Sequence, residues 1–439
     1  MTQYLKSLYL CICLLGGFIS CQTNESITQD EEIQTIMEGI SNQAGQEKNP
    51  YLTAGDKTYI IGTQDGNFPD LGGHTPGEMG GVWNHLIKLL DGFWVKMTDN
   101  KGNSCWLENA IQYTNYPFGS KFEYAPLFNN SIRVNRFQFC PQGKNGVVIT
   151  YTIENVSDSE QTVLFDFVAK TDLLPVWSSG TIGLKDAKDV VNWDAQDAIF
   201  KAKDLGNNWN VIWGADQHTS IYQLDAPTYI NTQGTGKSAS STYTITLPKN
   251  QEKKLSFVIA GSKDSEEDAL KSYKDILANH SEMLEDKKID YIILGNHYYK
   301  TDELHDYFGT PVDEFHLKAY VDQCIQAIDS GLYSYIAHPD LVYYDQDSKL
   351  YQEEMSRLCA YAKEKDMPLE YNLLGFMTHR HYPNKAFWKI ANHYKNKAII
   401  GFDAHSPDAL LKDDIYQQAF NYLSSLDVEL IDTIQTLKK

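Results

Sequence analysis

The chain has 439 residues, enough for two or three domains at about 150 residues each, which excludes a single small module. Lys and Arg number 38 against 58 Asp and Glu, so the formal net charge of −20 sets its summed field against nucleic acid and anionic lipid head groups. With 42% hydrophobic residues, and only 14 Pro and 29 Gly, it is too apolar for a disordered chain and too poor in Pro and Gly for a collagen-like one.

The first elements in chain order read as an export leader. Lys6 precedes an apolar run from Leu8 to Ile19, too short to span a bilayer, and Ser20 and Cys21 follow before the polar stretch Gln22 to Glu32. This resembles a bacterial lipoprotein signal peptide over residues 1–21, with a small residue at the cleavage point and the Cys21 thiol as the site of lipidation. Residues 22–44 then read as a flexible linker, the only membrane contact expected is the lipid anchor, and the expected location is the cell envelope. Of the 7 cysteines, Cys11 and Cys13 leave with such a signal. Cys105, Cys140, Cys324 and Cys359 remain, without CxxC or Cys/His ligand spacing. They read as buried thiols, with a Cys105 to Cys140 disulfide open to them after export.

Residues 45–264 read as an antiparallel β-sandwich. Short segments of period-two alternation recur there, at Val147 to Ile153, Thr162 to Val168, Asn210 to Trp213, Ser241 to Leu247 and Leu255 to Ala260, separated by Gly, Asn and Asp turns. A connecting helix follows over 265–288, opened by Ser265 with Glu266, Glu267 and Asp268 behind it, the arrangement that caps free N–H groups and suits the helix dipole.

The period then switches, and residues 289–439 read as α/β. Apolar strands at Asp290 to Leu294, Tyr333 to Ala337, Leu369 to Asn372 and Ala398 to Phe402 alternate with amphipathic helices at about Val312 to Ile328, Ser348 to Lys365, Lys385 to Lys395 and Ile415 to Leu423. Such βα units predict a parallel sheet or barrel. Chemistry-bearing residues stand where each strand ends: Gly295-Asn296-His297, Ala337-His338-Pro339-Asp340, Glu370-Tyr371-Asn372 and Asp403-Ala404-His405. Strand ends of a β/α barrel share one face, so three imidazoles and a carboxylate are expected to meet there as a metal set. Neutral His nitrogens and Asp oxygens suit zinc, manganese or iron.

These motifs resemble the polymerase and histidinol phosphatase (PHP) superfamily, and most of all its histidinol-phosphatase branch. The resemblance implies that His297, His338, Asp403 and His405 are ligands of a di- or trinuclear site, that Glu370 and Asn372 support it, and that Arg380 lies near the substrate phosphate. It also implies hydrolysis of L-histidinol phosphate to L-histidinol and phosphate, a small phosphorylated substrate. The match departs from the family in one respect. No HxH motif stands upstream of Asp290, so roughly the first half of the barrel is missing, with several ligands and with much of the metal affinity. The fold class is therefore a β-sandwich joined to a partial PHP-type β/α barrel, meeting at the string Glu282 to Lys288, as a gene fusion or recombination leaves.

The N-terminal part has its own chemistry. The stretch from Gly55 to Trp94 is dense in Gly, carboxylate and aromatic residues, a composition that suits carbohydrate, with Trp83, Phe93 and Trp94 as either stacking faces or core. It resembles the sandwich that precedes the (α/α)6 barrel of glycogen-debranching-like glycosidases, whose acid and base sit on a helical barrel that this chain lacks. Asp65, Asp70 and Glu78 are carboxylates that a glycosidase pair could draw on, given a separation of about 5 to 9.5 Å. The alternative function is thus a carbohydrate-binding or glycosidase-accessory lipoprotein without phosphatase activity.

Overall fold

The computed structural model describes residues 39–73, 75–176, 183–285, 291–299, 306–404, 407–426 and 428–434. Cys21, the leader, most of the linker, His405 and the stretch 286–290 at the join lie outside these residues.

Two antiparallel sheets form the N-terminal unit. The nine-stranded sheet runs in the order Ile40–Ser41, Gln112–Tyr116, Gly119–Glu123, Ile132–Phe139, Gly146–Asn155, Glu252–Ser262, Asn210–Ala215, Ile199–Asp204 and Asp189–Asp194. Ile40–Ser41, inside the segment read as linker, pairs with Thr114 and Asn115 as an edge strand. The eight-stranded sheet is built around Gln161–Thr171, which pairs with Ser238–Leu247 on one side and Ile87–Asp99 on the other. Alternate side chains on each strand point between the sheets, which is why the period-two segments became strands. Ile149, Tyr151 and Ile153 from one sheet, and Val163, Phe165 and Phe167 from the other, enter one core in which Phe167 lies on Phe257 with centroids 3.9 Å apart.

Trp83, Phe93 and Trp94 belong to the interior. All three are buried, Trp83 stacks on Tyr59 and Phe93 on Phe167, so none presents a ring to a sugar. The Cys105 to Cys140 disulfide left open by the sequence does not form. Cys105 lies on Ser104–Trp106 of the eight-stranded sheet, whereas Cys140 follows a strand of the nine-stranded sheet and its thiol points to the Thr53 carbonyl, and neither is in a disulfide.

The helix Glu266–Glu285 covers part of the outer face of the nine-stranded sheet, where Phe137, Val148, Ile212 and Val258 meet Ala269, Tyr273 and Ile276. Its start is capped as expected, for Ser265 Oγ accepts from the Asp268 N–H at 3.1 Å.

The C-terminal unit is a five-stranded parallel sheet, in chain order Ile293–Leu294, Tyr335–Ile336, Leu369–Asn372, Lys397–Gly401 and Glu429–Leu430. Helices Glu314–Asp329, Lys349–Glu364, Lys385–Tyr394 and Asp413–Ser424 supply the connections and bury Leu317, Val321, Leu358, Trp388 and Leu423 in one apolar cluster. Among the described residues the sheet stays open: its outer strands are not paired with each other, and no barrel closes.

Candidate functional site

The parallel sheet brings the strand-end residues together in one cavity of about 530 Å³ whose lining includes His297, His338, Glu370, Arg380, Tyr382 and Asp403. The reason is topological, since consecutive parallel strands put all their C-terminal ends on one rim. His297 and His338 pack edge to face with ring centroids 4.7 Å apart, and the Tyr382 ring lies 5.7 Å from His338 on another side. His338 and Asp403 both take left-handed backbone, with φ of 33° and 46°, a conformation that side-chain-bearing residues adopt rarely and that here turns both groups out of their strands.

A buried network holds this rim. Asn372 Nδ2 donates to Glu370 Oε2 at 2.9 Å and to Asp403 Oδ2 at 3.1 Å, while Asn372 Oδ1 caps the short helix Leu373–Met377 by accepting from Gly375 N. Glu370 Oε2 also accepts from His338 N at 2.9 Å. Gly401 makes room for this carboxylate, because a Cβ there would sit 1.8 Å from Glu370 Oε1. Burial pushes the Glu370 carboxyl above its ordinary value. Below the rim, Asp340 is buried and burial raises it to about 7, although its Oδ2 accepts from Asn384 N at 2.6 Å. Glu370 and Asn372 thus act on the rim through hydrogen bonds.

The imidazoles are held neutral. Burial, reinforced by His297, drives His338 down to about 4, while His297, exposed at the rim, is lowered by the partial desolvation of its ring. His297 Nδ1 donates to the Gly295 carbonyl at 3.2 Å, which leaves Nε2 as its lone-pair nitrogen, and His338 Nδ1 is buried with no partner. Neutral imidazoles with an unpaired nitrogen have the chemistry of ligands. Among the described residues, however, no group of three or more His, Cys, Asp or Glu is arranged to hold a metal ion. Arg380 is exposed at the mouth and donates from Nη1 to the Tyr382 hydroxyl at 2.6 Å.

The three N-terminal carboxylates stand in different environments. Asp65 is buried in a turn, bonded to Lys48, Thr63 and the Asn67 N–H, and those bonds hold it below its usual range against the opposing effect of burial. Asp70 is exposed and accepts from Gln233 N at 3.0 Å. Glu78 is half-buried, and burial followed by the charge of Asp172 raises it.

Sequence reasoning passed over a different aromatic group. Tyr222, 46% exposed on the edge strand Tyr222–Leu224, lies flat against Trp193 of the opposite sheet, with centroids 4.7 Å apart and planes inclined by 15°. Trp193 rests on buried Phe200, and Phe200 stacks on Trp213, so a column of rings runs from core to surface. The short, exposed strand Tyr222–Leu224 carries little periodicity, and nothing in sequence joins it to Trp193.

No protein-family model matches the chain, and no curated protein does. Among solved structures it is similar to a bacterial glucoamylase complexed with acarbose (13% identity, TM-score 0.38, over 57% of this chain and 37% of that one). A galactose mutarotase related enzyme from Lactobacillus acidophilus gives 9% identity and a TM-score of 0.32 over 49% of this chain and 98% of that one. A GH36 α-galactosidase from Geobacillus stearothermophilus gives 8% identity and 0.31 over 86% and 64%. The chain therefore spans little more than a third of the glucoamylase's length. These proteins are carbohydrate-active by name; the β-sandwich of this chain rests on its own strand pairing.

Proposed function

We propose that the β-sandwich is a carbohydrate-binding unit. The observation that carries this reading is the Tyr222 ring, exposed but fixed against Trp193. A pyranose offers one face of C–H groups, which an aromatic face attracts through its negative quadrupole while the sugar hydroxyls stay in water. A ring already held by a stack loses little rotamer freedom on binding, so more of the contact energy appears as affinity. Titration calorimetry with soluble oligosaccharides tests this: the wild-type chain binds at least one, and Tyr222→Ala weakens that binding about tenfold. Equal affinity of the two proteins overturns the reading.

A second reading concerns the C-terminal unit and is favoured by the meeting of His297, His338, Asp403 and Arg380 around one cavity. It is that of a phosphomonoester site of the PHP type. The resemblance expects a divalent ion such as manganese, zinc or iron, but among the described residues His297, His338 and Asp403 are not arranged to hold one, and His405 lies outside them. The chain's own part is to orient: Arg380 offers its guanidinium to the phosphate, and Glu370 and Asn372 keep the His338 backbone and the Asp403 carboxylate in place. Inorganic phosphate binding, measured with and without manganese, checks it. Arg380→Gln is expected to weaken that binding, and indifference to the substitution removes the reading. Lipidation at Cys21 and the envelope location remain proposals, checked by labelled palmitate appearing on the wild type but not on Cys21→Ala.

A further inference from the structure

The helix Glu266–Glu285 covers only the apolar part of the outer face of the nine-stranded sheet. Beyond it lies an open groove of about 470 Å³, whose walls include Lys121, Glu123, Arg133, Asn135, Thr152 and Glu154. Their placement follows from register. Glu123 faces Asn135 across one strand pair, and Asn135 faces Thr152 across the next, so a carboxylate, an amide and a hydroxyl stand in one row at about 4.8 Å intervals. One step along the strands, Arg133 faces Glu154 in a second row.

Four of the charges in the groove stand in two ion pairs, and Glu252, opposite Glu154 on the next strand, adds a carboxylate. Lys121 Nζ lies 2.7 Å from Glu123 Oε1, and Arg133 Nη1 lies 2.7 Å from Glu154 Oε2. An anionic ligand is disfavoured by such a lining, because each cation it meets has a carboxylate beside it and Glu252 adds another, and a cationic ligand meets Lys121 and Arg133 between the carboxylates. A neutral ligand with many hydroxyls gains at every position: carboxylates accept, the guanidinium and ammonium donate, and Asn135 does both. We infer that this groove is a second saccharide subsite, which takes a neutral oligosaccharide by hydrogen bonds, apart from the aromatic contact at Tyr222. The inference rests on the carbohydrate reading of the sandwich.

The experiment is calorimetry with maltopentaose, cellopentaose and laminaripentaose on the full chain, for wild type, Asn135→Ala, Thr152→Val and Tyr222→Ala. Both groove side chains point outward from the sheet, and circular dichroism confirms that each variant is folded. The expected result is binding of one pentaose that each groove substitution weakens about tenfold, with affinity unchanged between low and physiological salt, as befits an uncharged ligand. Binding that the groove variants leave at the wild-type value, but that Tyr222→Ala removes, overturns the groove and leaves the carbohydrate reading standing. Affinity that falls steeply with salt overturns the neutral ligand class. Failure of all three pentaoses to bind overturns both the groove and the reading beneath it.

Discussion

Glu370 and His338 are 32 positions apart, yet the side-chain Oε2 of the first accepts from the backbone N–H of the second at 2.9 Å. That bond crosses between neighbouring parallel strands and fixes the turn at which His338 leaves its strand with φ of 33°. The left-handed conformation costs about 1 kcal/mol or more, and the carboxylate that receives the N–H helps to hold it.

Glu370→Ala is therefore expected to destabilise the C-terminal unit by about 2 to 3 kcal/mol, since the His338 N–H and an Asn372 donor both lose an acceptor in a buried place. Glu370→Gln keeps an amide oxygen there and is expected to recover most of this loss. Urea unfolding followed by Trp388 fluorescence measures both, and equal destabilisation by Ala and Gln would show that the hydrogen bond is not the cause.

Asp189 gives a pH dependence. It is buried, its Oδ2 accepts from Thr171 Oγ1 at 2.7 Å and from Leu173 N at 3.1 Å, its Oδ1 has no partner, and burial raises it to about 6. An acid raised in the folded state is protonated there while the unfolded chain, near 3.9, is already ionised, so stability falls as pH rises from about 4 to 6 and stays reduced above that. Asp189→Asn keeps an oxygen acceptor without the charge. Its stability at pH 7 is expected to exceed wild type by up to about 3 kcal/mol, with the difference vanishing near pH 4. Parallel unfolding curves for the two proteins across that window would refute it.

Lys88 is fully buried, with Nζ 2.9 Å from Asp91 Oδ1 and 2.9 Å from Asp172 Oδ2. Lys170 also reaches Asp91, at 3.1 Å, so loss of Lys88 strands Asp172 more than Asp91. Lys88→Met is expected to cost about 3 to 5 kcal/mol, the usual result of leaving a buried charge without its partner. Lys88→Met combined with Asp172→Asn is expected to return part of that loss, which chemical denaturation of the single and double variants resolves. A double variant no more stable than the single one would place the cost in packing.

Trp83 separates core from binding surface. It is fully buried, so Trp83→Ala is expected to lower stability by about 3 to 5 kcal/mol. Oligosaccharide affinity of the folded fraction is expected to stay at the wild-type value, in contrast to Tyr222→Ala. A thermal melt paired with calorimetry below the transition distinguishes the two effects, and a selective loss of sugar affinity in Trp83→Ala would return the tryptophan to the binding site.

The order of elements was legible from local pattern. Period-two runs such as Val147 to Ile153 lie inside Gly146–Asn155, and the 3.6-residue periods near Ser348 and Lys385 became Lys349–Glu364 and Lys385–Tyr394. The two-residue strands Ile40–Ser41 and Glu429–Leu430 were not legible, because two residues carry no period and only their partners make them strands.

Sequence by itself determined which residue types stand at the strand ends, since His297, His338, Glu370 and Asp403 follow apolar runs that hydrophobic burial turns into a parallel sheet. Tertiary structure alone decided what those residues and the aromatics do. Whether a ring is core or surface depends on the sheet packed against it, so Trp83, Phe93 and Trp94 went inside, while Tyr222 stayed half exposed on Trp193. Likewise the row Glu123, Asn135 and Thr152 exists only through strand register, a long-range pairing that no local window contains.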